Sequence, residues 1–164
     1  MIEALERCRE LRDVAAPGNP FRLACTLEPP TDAREIEAAW PDRRLPASLV
    51  EAWATCRSAR LFEDVEYGQW GLVLLDPAGS AERTERERRD RPDDLAASDV
   101  VVGEFLGDSD LLVVAAEPSP AVLVALPLDP RADWPVVAPD LDAFFRAYVD
   151  ALGAKFWAAG TEHA

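Results

Sequence analysis

The most regular hydrophobic pattern lies near the C-terminal end. Leu141, Phe144, Phe145, Tyr148 and Leu152 recur at i, i+3, i+4, i+7 and i+11, which predicts one apolar stripe along a helix. Pro139 and Asp140 stand where a helix start wants them. Upstream, three apolar runs, Val100 to Phe105, Leu111 to Ala115 and Ala121 to Leu126, read as strands. Their links are short, which predicts antiparallel pairing, because parallel strands need a long crossover. Gln69 to Leu75 reads as a further strand, and Trp134 to Ala138 as an edge piece.

The N-terminal half is broken by prolines. Leu5, Cys8, Leu11 and Ala15 predict a helix over residues 2–15. APGNP and LEPP then interrupt the chain. Asp32 with Glu35 suggests a capped helix up to Trp40, stopped by Pro41. Pro46 is read as the first residue of a helix through Cys56, with Leu49, Trp53 and Cys56 on one face. Ser80 to Asp94 has almost no apolar residue and reads as a solvated helix or a mobile loop. Glu82–Arg86, Glu85–Arg89 and Glu87–Arg91 are its candidate ion pairs. These elements predict an α+β fold with a mostly antiparallel sheet. Residues 1–30 read as an N-terminal helix and proline-rich extension, 31–157 as the domain, and 158–164 as a flexible tail.

The run VVVGEFLGDSDLLVV, Val100 to Val114, admits three readings. A phosphate loop needs a helix after its glycines and a GK[ST] lysine, and LLVV is strand-like. Asp108 and Asp110 offer oxygens to a cation, but a calcium loop needs about twelve residues and several more ligands. A hairpin turn at Gly107 and Asp108 requires neither.

Composition narrows the function. The formal net charge is -14, and residues 99–164 hold 11 acids against 3 bases. Such a surface disfavours nucleic acid and favours a basic partner. No apolar run approaches the roughly 20 residues of a membrane span, and MIEALERCRELRD does not resemble a secretion signal, so a cytoplasmic protein is expected. Cys8, Cys25 and Cys56 are widely spaced and read as reduced thiols, two of them on apolar helix faces. With His163 the only histidine, no Cys/His metal set is expected. Ser98, Ser109 and Ser119 have no histidine placed beside them, and carboxylate pairs occur everywhere in so acidic a chain. No catalytic residue, cofactor or metal is assigned.

The order of four motifs carries a family resemblance. LPASLVEAW, YGQWGLVLLDP, VVVGEFLGDSDLLVV and PDLDAFFRAYVDALGAKFW together resemble the SUKH superfamily of Smi/Knr-like proteins, many of them bacterial immunity proteins. The matching positions are Leu45 and Pro46, Gly71 and Leu72, Gly107 and Asp108, and Phe144 and Phe145, spread over about 120 residues. One departure is CRSARLFED, which stands where many members carry an Asn-Gly pair, so a differently shaped loop is expected before the first strand. The resemblance implies an α+β domain that binds rather than catalyses. Its implied partner is a toxin, often a nuclease, and its alternative is a regulator or scaffold with no toxin partner. The expected contacts are Glu63, Asp64, Asp108 and Asp110, with Tyr67 and Trp70 as apolar anchors. Replacing Asp108 and Asp110 by lysine is expected to slow association and leave the fold intact.

Overall fold

The computed structural model describes residues 1–41, 44–116 and 119–158. Most of the predicted tail, residues 159–164, lies outside the described residues. In chain order the elements are α1 (Ile2–Cys8), β1 (Val14–Ala15), β2 (Arg22–Leu27), α2 (Ala33–Ala39), α3 (Ala47–Thr55), β3 (Ala59–Asp64) and β4 (Leu72–Leu74). They continue with α4 (Pro77–Asp90), β5 (Val100–Phe105), β6 (Leu111–Ala115), β7 (Ala121–Ala125), a 3-10 turn at Arg131–Asp133, β8 (Val136–Ala138) and α5 (Leu141–Asp150). Each strand pairs antiparallel with the next, giving one eight-stranded meander, and the predicted α+β class holds. Among the described residues no helix is long and apolar enough to cross a membrane.

The central strands are almost wholly apolar because both of their faces are buried, with Glu104 of β5 the charged exception, paired with Arg83. One face carries Val100, Val102, Leu112, Val114, Val122 and Val124, which share a core with α1, α3 and α5. The other face carries Val101, Leu111, Val113, Ala115, Leu123 and Ala125, covered by Leu95 and Trp134. Helix α4 crosses this second face. The Ser80 hydroxyl donates to the Val101 carbonyl at 2.5 Å, and the Val101 N–H donates to the Thr84 hydroxyl at 2.9 Å. The stripe on α5 buries Leu141, Phe144, Phe145 and Tyr148, and Asp140 caps the helix by accepting from the Ala143 N–H.

Several expectations need correction. The first helix ends at Cys8, not at residue 15. Leu11 instead accepts the Cys25 N–H at 2.7 Å, and the chain runs on into the edge strand β1. The stretch 1–30 thus supplies a helix and two strands to the common sheet. CRSARLFED is not a loop before the first strand, because its second half is β3, paired with β2 and β4. The sequence pattern marks neither β2 nor β3 as a strand. Arg22, Thr26 and Arg60 face solvent, and Phe62 sits at φ +51 where the β2–β3 register slips, so neither strand alternates cleanly. The strand expected over 69–75 is confined to Leu72–Leu74.

Pro46 caps α3 rather than opening its first turn. Ser80 to Asp94 resolves to a helix that begins at Pro77, with Asp76 accepting the Gly79 N–H at 2.7 Å. Of its expected ion pairs Glu82–Arg86 forms at 3.2 Å, whereas Glu85 and Glu87 pair with Arg88 and Arg83. Arg91 is drawn away to the carbonyls of the β7–β8 loop. Leu152 lies beyond the end of α5 and is half-buried. Cys8 lies in α1, Cys56 caps the end of α3, and Cys25 lies in β2; all three are buried.

Candidate functional site

Of the residues singled out in the sequence, Glu63 and Asp64 end β3, Tyr67 and Trp70 lie on the turn 65–71 between β3 and β4, and Asp108 and Asp110 lie on the turn 106–110 between β5 and β6. The structure brings these turns into contact. The Leu106 N–H donates to the Gly71 carbonyl at 2.9 Å. Gly107 has φ +95, and a Cβ there would lie 2.4 Å from the Gln69 carbonyl oxygen, so the junction requires glycine. The GDSD run is therefore the tight hairpin link, not the start of a helix.

Asp64 organises the first turn. Its backbone N–H donates to the Trp70 carbonyl, its carbonyl accepts the Gly68 N–H, and its Oδ1 accepts the Glu66 N–H, each at 3.0 Å. The side chain is 1% exposed, so this acid shapes the turn and does not face solvent. Trp70 is half-buried, and its Nε1–H donates to the Gly153 carbonyl at 3.2 Å, tying the turn to the segment after α5. Gly153 leaves no room for a side chain, since a Cβ would fall 2.4 Å from the Phe62 Cβ. Glu63 is half-buried and paired with Arg60. Of the six residues, Tyr67 stands out as the exposed aromatic, at 65%, with its hydroxyl directed to Glu66. Val65 is 55% exposed two positions before it, an apolar neighbour that the sequence reading did not single out. Its signal was a β-branched residue set between acids in EDVEYG.

The second turn uses its acids internally. Lys155 ion-pairs with the exposed Asp108 and, at 2.7 Å, with Asp110, which is 7% exposed. Its ammonium also lies 5.2 Å from the Phe105 ring centre, and Phe105 in turn packs edge-on against Trp157. Lys155 was not anticipated as a partner, because 45 residues separate it from Asp110. Three lysines at this point would repel one another, so the paired lysine replacements are not neutral to the fold.

Burial pushes the Cys56 thiol up to about 11, far from a thiolate at neutral pH. Cys8 is raised too, first by its hydrogen bond with Cys25 and then by burial. Asp94 is held below the usual carboxylate range, first by the Arg131 N–H and then by Arg91. Among the described residues no group of three or more His, Cys, Asp or Glu could hold a metal ion. A cleft of about 240 Å³ between the start of α3 and the β6–β7 end is lined mainly by apolar groups, including Leu45, Val114, Pro120 and Pro139. Trp40, Trp53 and Trp134 are buried in the cores. No family model and no curated protein matches the chain.

Proposed function

We propose that this protein is a non-catalytic, cytoplasmic immunity protein that binds and neutralises a basic toxin, with a nuclease the favoured class. One observation carries the binding mode. The β3–β4 turn presents Val65 and Tyr67 to solvent on a backbone already locked by Asp64. An ordered aromatic anchor loses little freedom on binding, which is how a small patch supplies much of an interface's affinity. Glu66 beside it is exposed and feels Arg22, which is itself paired with Asp13, without forming an ion pair to it, and the chain carries a formal charge of -14, so a basic partner is steered toward it. The order of sequence motifs shared with the SUKH superfamily supports the choice of a toxin. Asp108 remains a rim acid, half-neutralised by Lys155. The test is co-expression with the toxin encoded next to this gene, if one exists. Protection together with a stable complex is expected. A folded protein that neither binds nor protects favours the regulator or scaffold reading instead.

A further inference from the structure

We propose that the docking surface continues along one edge of the sheet from Tyr67 to Leu128, holding a single basic protein at two separated apolar points. This rests on the binding function proposed above and extends it. In an antiparallel meander every second connection lies at the same end of the sheet, so the β3–β4, β5–β6 and β7–β8 connections share an edge. One backbone contact and one shared cavity link the three connections. The first two turns touch through Leu106 and Gly71. Ser109 of the second turn and Pro127 of the third line one shallow cavity of about 210 Å³, together with Arg91, Leu111 and Ala125.

Leu128 follows Pro127 and is 95% exposed. A lone exposed leucine ordinarily signifies nothing. Two features set this one apart. The first is that its backbone is clamped from behind. Arg91 donates to the Leu126 carbonyl at 2.8 Å and to the Asp129 carbonyl, and Trp134 Nε1–H donates to that same Asp129 carbonyl at 3.0 Å. Pro127 and Pro130 bracket the apex and restrict its backbone further. Arg131 is tied to the fully buried Asp99 and to Asp94, and the Arg91 and Arg131 guanidinium groups lie 5.1 and 5.6 Å from the Trp134 ring centre. The leucine is thus held in place before any partner arrives, and little backbone entropy remains to be lost.

The second feature is charge. Both arginines are spent inward, while Asp129 and Asp133 on the same loop are exposed and have no ion-pair partner among the described residues. Glu66 at the far end of the edge is exposed too, accepting the Tyr67 hydroxyl and feeling Arg22 without an ion pair to it. An apolar knob among unpaired carboxylates fits an apolar socket rimmed by lysine or arginine, and repels nucleic acid. The dimensions agree. The first and third hairpins are four strand spacings apart, about 19 Å. A standard interface of about 800 Å² per partner is about 30 Å across, wide enough to cover both anchors.

The test uses a toxin encoded next to this gene, if one exists, purified in an active-site-inactivated form, and measures its binding kinetics to wild type, Leu128→Ser, Leu128→Lys, Tyr67→Ala and the Leu128→Ser/Tyr67→Ala pair. Leu128→Ser is expected to weaken binding by about tenfold or more, chiefly through faster dissociation, with an unchanged thermal melt. Leu128→Lys should weaken it further by setting like charges together. The losses from Leu128→Ser and Tyr67→Ala should be additive, because the sites share no neighbour. Leu128 variants that bind like wild type while Tyr67→Ala does not would overturn the extended surface and leave the immunity reading standing. A wild-type protein that does not bind the toxin would overturn both.

Discussion

The β3–β4 and β5–β6 turns lie side by side, and both are rich in acids, yet their carboxylates do opposite work. In the first turn the aspartate is inside, holding three backbone contacts, and the side chains left outside are Val65, Glu66 and Tyr67. In the second turn the acids close onto Lys155, which reaches back from beyond α5. The first turn is therefore a rigid platform with open chemistry, and the second is the fastening that joins the C-terminal segment to the sheet. The difference shows that acid count on a loop says little about its availability to a partner. What decides availability is whether burial against backbone N–H groups, or a cation from elsewhere in the chain, has already taken up the carboxylate.

Substitutions can break or sharpen this contrast. The largest expected effect lies beneath both turns. Phe145→Ala empties a fully buried ring site and should cost about 3–5 kcal/mol in a denaturant melt, without favouring either turn. Next comes the junction. Gly107→Val forces a β-branched residue to positive φ against the Gln69 carbonyl, and should cost about 2–4 kcal/mol by the same measurement. A neutral result there would mean that the turns do not bear on each other. Lys155→Ala strands Asp110 in a nearly buried position and should cost about 1–3 kcal/mol. If the second turn is a fastening, hydrogen exchange in residues 151–158 should also quicken. Tyr67→Ala should be smallest, within about 0.5 kcal/mol of wild type, because an exposed ring contributes little to folding. A large loss there would make the first turn structural as well and remove the contrast.

Much of the fold was readable along the chain, and for a definite reason. Val100–Phe105, Leu111–Ala115 and Ala121–Ala125 were legible because strands buried on both faces are apolar at nearly every position. The stripe on α5 was legible because its period follows from the helix itself, and Gly107 because only a turn fits glycine and aspartate between two such runs. β2 and β3 were not, since one face is solvated and a slip at Phe62 breaks the alternation. At the candidate site the sequence determined the residue types on each turn and their acidity. That the turns meet, that Asp64 faces inward, that Lys155 takes up Asp108 and Asp110, and that Leu128 stands clamped in solvent were decided by tertiary structure alone. Local pattern reports what each residue can do over a few neighbours. Long-range ion pairs and backbone clamps join positions separated by tens of residues, and no local period encodes them.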